Sequence, residues 1–330
     1  MIGPHKTRRV AWPLALAAAL WVAAWSGAAP AQDFPTRPIR LVVGFAAGGT
    51  TDFMARLLAD KLRGPLGQPV VVENRTGANG ALGAEMVAKS EPDGTTLYFT
   101  TAGVATVYPH LRPAPYDPIR DFAPVSLVAF NSTMLVVNAA TPVRSAGDLA
   151  ALARRNPGTI TIAITGLGSV SHLGAELFQS AAGIKLVEVP YRGAAPAMTD
   201  LLGRQLDALF GDGPTVMAHI GAGKIRAIAA TSQRRSEIFP DVPTFVEQGF
   251  ADTVADQWAG VLAPARTPAA IVAKLNAAIV AVMNDPEVRA KLAQNGVVPA
   301  AGSPEEFGQY LRDEYARWGR IIREKGIKAD

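Results

Sequence analysis

Two short stretches hold the residues best suited to chemistry. Residues 44–52 read G-F-A-A-G-G-T-T-D, and residues 165–172 read T-G-L-G-S-V-S-H. In each, glycines let the backbone turn sharply and approach a bound group, and hydroxyl residues follow where a helix would begin. The unpaired N–H groups and positive dipole end of such a helix favour an anion. Neither stretch contains Lys or Arg, so recognition would fall to backbone N–H groups and to the hydroxyls of Thr50, Thr51, Ser169 and Ser171. One helix end contributes roughly 0.3–1 kcal/mol when exposed and up to ~2 kcal/mol when partly buried. Alone, either stretch reads as a tight strand-to-helix turn; as a pair facing one cleft, they could clamp a small dianion.

The expected ligand contacts are therefore Phe45, Ala46, Gly48, Gly49, Thr50 and Asp52 from the first stretch, and Thr165, Gly168, Ser169, Val170, Ser171 and His172 from the second. Thr101, Ala102 and Asp212 end other strands and join them. Three of these carry an open alternative. Asp52 falls in a first helical turn, where the dipole favours a carboxylate anyway, or it faces the cleft and reads a donor; Asp212 shares that ambiguity. His172 is either a donor to ligand or an ordinary surface histidine.

The catalytic inventory is thin, and no catalytic residue, metal site or cofactor is expected. His110, His172 and His219 lack metal-ligand spacing, and there is no G-x-S-x-G elbow. Ser169, Ser171 and His172 lie too close in sequence to read as a triad, which geometry defines. An exported α/β hydrolase using Ser171 and His172 remains the runner-up. Gly166-x-Gly168-x-x-Ser171, with Glu188 twenty residues past Gly168, approaches a dinucleotide fingerprint but lacks its third glycine.

The elements that must position these residues alternate. Apolar 39–43 reads as a strand and 51–64 as a helix; 70–72, 81–89 and 96–100 continue the pattern as strand, helix and strand. This is the opening of a doubly wound parallel sheet, in which ligands bind beyond the carboxyl ends of the strands. Residues 122–128 and 134–137 read as two more strands, and from Ser145, an expected helix cap, the α/β pattern restarts and runs to a strand at 225–229. Residues 257–262 read as a strand. Three helices follow with no strand expected between them, the last opened by a capping box at Ser303 and Glu306. The inferred organisation is a discontinuous first lobe (32–132 plus 257–330) and a second lobe (133–256), with a hinge at two crossings and a cleft between strand-end loops.

The first 31 residues read as a cleavable secretory leader: Lys6, Arg8 and Arg9, an apolar run from Val10 to Trp25, then Ala29-Pro30-Ala31 before Gln32. The apolar run is shorter than the roughly 20 residues a membrane span needs, and Arg8-Arg9 hints at twin-arginine export. The chain has no Cys, which excludes disulfides and thiolate metal sites. Losing Lys6, Arg8 and Arg9 leaves 29 of the 32 basic residues against 28 acidic ones, a charge near +1, so the basic pI of the whole chain does not argue for nucleic acid. A periplasmic location is expected in a host with two membranes.

Several motifs resemble the Bug-type solute receptors of tripartite tricarboxylate transporters: Phe34-Pro35-x-Arg37-Pro38-Ile39-x-Leu41-Val42-Val43, Gly48-Gly49-x-x-Asp52, and Val72-Glu73-Asn74-Arg75-x-Gly77-Ala78-x-Gly80. Val189-Pro190-Tyr191-Arg192-Gly193, Asp200-Leu201-Leu202 through Asp212, and Asp285-Pro286-Glu287-Val288-Arg289 extend the likeness across the chain after the leader. The resemblance implies a type II periplasmic-binding-protein fold, two doubly wound α/β lobes with a cleft and hinge. It also implies a small carboxylate ligand held by the two strand-end loops with ordered water, and delivery to membrane permease subunits. A monomer without enzymatic activity is expected. A ligand-sensing adaptor for a membrane receptor would use the same fold. The family's first loop usually bears proline before Gly-Gly and residues 44–47 do not, so no relative's ligand preference carries over.

Overall fold

Strand β1 (Ile39–Val43) takes its place from its own composition. Four of its five side chains are fully buried, and only Arg40 faces solvent. Such a strand belongs inside a sheet covered on both faces, and it lies between two parallel neighbours, β2 (Val70–Asn74) and β3 (Thr96–Thr101). Arg40 reaches Glu73 on β2 at 2.8 Å. The computed structural model describes residues 34–328 apart from 132, 167 and 192; the leader read at 1–31 lies outside the described residues. The body described here runs from Arg37 onward.

Helix α1 (Thr50–Leu66) joins β1 to β2, and α2 (Ala81–Ala88) joins β2 to β3. The chain then passes through the helical turns Gly103–Val107 and Tyr108–Leu111 into β4 (Phe122–Asn131) and β5 (Thr133–Asn138). Helix α3 (Ala146–Arg155) follows, its Ser145 cap accepting from Asp148 N–H as its sequence implies. Next come β6 (Thr161–Ile164), α4 (Val170–Ala182), β7 (Val187–Pro190), α5 (Ala194–Leu202), β8 (Ala208–Asp212), α6 (Gly213–Gly221) and β9 (Ile225–Ala230). The chain returns as β10 (Gln257–Pro264), α7 (Ala269–Met283), α8 (Pro286–Ala293), β11 (Val297–Pro299) and α9 (Pro304–Lys325). The capping box forms at Ser303 and Glu306.

Two lobes result, each with its own sheet. One sheet has six strands in the order β11-β4-β10-β3-β1-β2, the other five in the order β7-β6-β8-β5-β9. Both are mixed. The parallel core expected from the opening β-α-β-α-β pattern is present, but β10 and β4 add to the first sheet antiparallel, and β5 adds antiparallel to β8 and β9 in the second. The reason is the crossings: the chain leaves the first sheet along β4 and re-enters it beside that strand as β10, pairing Gln257 with Asn131. A second departure is β11, a three-residue edge strand where the sequence suggested only helices. A strand this short shows no periodicity to read.

Buried clusters centre on Tyr98, Trp258, Phe307 and Trp318 in the first lobe and on Phe178, Phe210 and Phe245 in the second. Val170, Leu173 and Leu177 of α4 belong to the first cluster rather than the second, so this helix packs across the lobe boundary.

Candidate functional site

The loop between β1 and α1 is folded around Asp52, which is 3% exposed. One carboxylate oxygen accepts from Gly48 N–H (2.9 Å) and Arg56 Nε (2.8 Å). The other accepts from Asn74 Nδ2 (2.8 Å), which also donates to the Phe45 carbonyl (3.0 Å). Burial would raise the Asp52 carboxyl, but the bonds from Arg56, Gly48 and Asn74 together hold it below its ordinary value. Asp52 therefore ties the loop to β2 from behind. Gly44 permits a close backbone approach: a Cβ there would stand 2.6 Å from both Gly80 Cα and the Tyr98 hydroxyl.

The loop between β6 and α4 is tied by its own hydroxyls. Ser169 Oγ donates to the Gly166 carbonyl (2.7 Å) and accepts from His172 N–H (3.3 Å). Ser171 Oγ lies 2.8 Å from Ser169 Oγ and 2.9 Å from Thr165 Oγ1, and accepts from Thr165 N–H. Since the Ser169 proton points at Gly166, Ser171 donates to Ser169 and Thr165 donates to Ser171. All three hydroxyl protons are thus used within the loop. The Val170 and Ser171 N–H groups at the start of α4 are left to meet a ligand, and the hydroxyls brace them.

These two loops border one cavity of about 960 Å³. Four helices begin at its wall: α1 through Gly49 and Thr50, α4 through Ser169 and Val170, α5 through Gly193 and Ala194, and α6 through Asp212 and Pro214. The first N–H groups of each lack intrahelical acceptors. Among the described residues lining the cavity there is no Lys or Arg.

Of the residues expected from sequence, Phe45, Ala46, Gly48, Gly49, Thr50, Thr101, Thr165, Ser169, Val170, Ser171 and Asp212 line this cavity. Asp52, Ala102, Gly168 and His172 do not. Asp52 is turned to Arg56 and Asn74, and Ala102 is fully buried. Gly168 donates its N–H to His172 Nδ1 at 3.1 Å. The His172 ring is 2% exposed, not a surface histidine, and its Nε2 faces Glu188 (3.4 Å) and Glu176 (3.9 Å). Ser171 therefore gains no base from His172, and the hydrolase reading loses its pairing. Glu188, the acid of the dinucleotide reading, is held by Gln179 Nε2 (2.8 Å) and faces this imidazole instead of the cavity.

His172, Glu176 and Glu188 also place three possible ligating atoms within 4.8 Å of one another. Burial lowers the His172 pKa and raises both carboxyls, that of Glu188 to about 7 with the Glu176 charge contributing. Near neutrality the imidazole is therefore uncharged and the Glu188 carboxyl only partly ionised.

Other lining residues were not legible as site residues: Thr133 and Gln257 at the crossings, Gly193 to Pro196 at the start of α5, and His219 and Asn295. Position beyond the strand β7 would have flagged Gly193 by the strand-end rule used for the other loops.

Residues 54–327 match the family model described as tripartite tricarboxylate transporter family receptor. The Bordetella pertussis protein BugT is 39% identical over 313 residues, covering 94% of this chain and 96% of its own. Among solved structures, the periplasmic binding protein BugD superposes with a TM-score of 0.81 at 35% identity, covering 89% of this chain and 99% of that one. An R. palustris protein solved with adipate superposes with a TM-score of 0.83 at 36% identity, covering 89% and 99%.

Proposed function

This chain belongs to the tripartite tricarboxylate transporter receptor family, and from that premise we propose that it captures a small organic carboxylate between its lobes and hands it to the membrane permease subunits of such a transporter. The observation that carries this reading is the convergence of four helix N-termini on one cavity. Together they supply neutral donors and dipole ends suited to carboxylate oxygens. The R. palustris relative bound to adipate supports the ligand class.

In this reading the lobes span 32–132 with 257–330, and 133–256. They close on ligand because only the closed arrangement lets one molecule touch both β1–α1 and β6–α4 loops. Binding uses the eleven expected residues that line the cavity, while Asp52 and His172 position the loops from behind. The protein works without catalysis, as a monomer in the periplasm, after cleavage following Ala31.

The test is mass spectrometry of small molecules released from purified protein, followed by thermal shift with dicarboxylates, tricarboxylates, amino acids and aromatic acids. A ligand at a hundredfold excess over its Kd stabilises the native state by about 2.7 kcal/mol, which a melt resolves readily. An unmoved midpoint with every organic acid, in protein stripped of ligand, overturns the reading. So does ester turnover lost on Ser171→Ala.

A further inference from the structure

The buried His172 ring gives each of its nitrogens a different task. Gly168 N–H donates to Nδ1 at 3.1 Å, so Nδ1 presents its lone pair and the proton of the neutral ring sits on Nε2. Nε2 faces Glu188 Oε2 of β7 (3.4 Å) and Glu176 Oε1 of its own helix (3.9 Å), the ionisable groups turned toward the ring. A protonated Nε2 has no lone pair for a metal ion, so the three groups form a donor with two acceptors and not a ligand set. Gly168 is buried at the lobe boundary: a Cβ on it would lie 3.0 Å from Leu111 Cδ1 of the first lobe. Ser169 and Val170, the next two residues, line the cavity.

Protonation of the ring and its bond to the loop exclude one another. A second proton can go only to Nδ1, where it would meet Gly168 N–H donor to donor. The ring is enclosed, on a helix packed across the lobe boundary, whereas Gly168 belongs to a loop, so the loop gives way. We propose that His172 is a proton-sensitive positioning residue: it holds the β6–α4 loop in its acid-binding form only while Nδ1 is unprotonated, and proton uptake releases the loop and the acid with it. This rests on the carboxylate-receptor reading and adds a regulation of that site. The order of titration suits the role. Glu188, raised to about 7 by burial and by the Glu176 charge, takes up its proton first, so its charge no longer favours an imidazolium as pH falls further. Burial holds the ring below its ordinary value and raises Glu176. The bond to Gly168 is therefore intact at neutrality and is lost in acid.

The probe is the tightest binder among succinate, malate, adipate, citrate, aspartate, glutamate and benzoate, titrated calorimetrically into ligand-free protein from about pH 7.5 down to about pH 4.5. His172→Asn keeps an acceptor where Nδ1 stood and cannot titrate; His172→Leu removes the acceptor. At the upper pH, His172→Asn should bind within about twofold of wild type and His172→Leu about tenfold more weakly, because its Gly168 N–H is left buried and unpaired. On acidification, wild type should lose about threefold or more in affinity relative to His172→Asn, a ratio from which the titration of the probe's own carboxyls cancels. Long-range ¹⁵N–¹H correlation spectra of the wild-type imidazole, which need no variant and no acid, should show the Nε2–H tautomer at neutral pH. An Nδ1–H tautomer overturns the inference while leaving a carboxylate receptor intact. So does a pH profile shared by wild type and His172→Asn, and so does an Asn variant that binds no better than the Leu one. Binding of no acid in the panel at any pH overturns the receptor reading and this one with it.

Discussion

Gly213 and Gly296 touch backbone to backbone. A Cβ on Gly213 would lie 2.8 Å from the Gly296 carbonyl oxygen and 2.9 Å from its Cα. Gly213 opens α6 beside the cavity, and Gly296 leads into β11 at the edge of the other sheet. The two lobes therefore approach through a contact with no room for a side chain, next to the crossing where Asp212 and Asn131 meet.

Gly213→Ala should consequently act on binding more than on folding. The added methyl meets backbone rather than a flexible side chain, and overpacking of this kind costs about 1–3 kcal/mol. Separating the lobes relieves it without unfolding either one. The expected outcome is a loss of about tenfold in affinity for the native acid by calorimetry, with a smaller fall in the melting temperature of the unliganded protein. An unchanged Kd would mean that this contact is absent from the bound state.

Asp52→Asn should loosen the first loop. The carboxylate accepts from Gly48, Arg56 and Asn74 at once, and an amide offers one oxygen in place of two. Hydrogen bonds to charged groups contribute about 1.5–3 kcal/mol each, reduced here because Arg56 is half-exposed; a loss of about 2 kcal/mol overall is expected. The sign with pH follows from the lowered Asp52 pKa. Its contribution is complete above the unfolded carboxyl value and is lost as pH falls through the folded one. The gap in melting temperature between wild type and variant should thus be full at neutral pH and shrink below about pH 4. A gap that persists unchanged into acid would assign the effect to packing.

Glu188 runs the other way. Burial and the Glu176 charge raise it from 4.5 to about 7, so the folded protein holds a proton that the unfolded chain releases. Its penalty is absent below the unfolded value, grows as pH rises, and is complete once pH passes about 7. Glu188→Gln keeps an oxygen for Gln179 Nε2 and cannot ionise. The variant should therefore gain on wild type progressively between about pH 4.5 and 7, by an amount on the order of 3 kcal/mol at the plateau. Urea unfolding at four pH values across that window measures it. A constant difference would show that the carboxyl does not titrate there.

What could be read from sequence divides along a physical line. The loops at 44–52 and 165–172 were legible because strand, glycine turn and helix start are contiguous in the chain, and the Ser145 and Ser303 caps because a cap needs only three following residues. The roles of Asp52 and His172 were not, since each is set by groups brought from elsewhere: Asn74 at the end of β2 for one, Glu188 on β7 for the other. Thr133, Gln257 and Asn295 reach the cavity only through the crossings, which depend on how the two sheets are paired. The antiparallel joining of β10 to β4 is likewise a long-range pairing that local periodicity does not encode.

Gly44 separates a backbone requirement from a side-chain one within the first loop. A methyl at this position meets Gly80 Cα, which has nowhere to go, and the Tyr98 hydroxyl, which donates to the Gly80 carbonyl at 3.0 Å. Gly44→Ala should therefore displace the loop from the 78–80 turn, destabilise the protein by about 2–3 kcal/mol, and weaken acid binding at the start of α1. Tyr98→Phe removes the hydroxyl at the cost of its hydrogen bond, about 1 kcal/mol. If the close backbone approach is the controlling feature, the double variant should be no more stable than Gly44→Ala alone, because the Gly80 contact remains. Recovery of stability in the double variant, measured by urea unfolding, would instead identify the hydroxyl as the obstacle and leave the loop free to accept a Cβ.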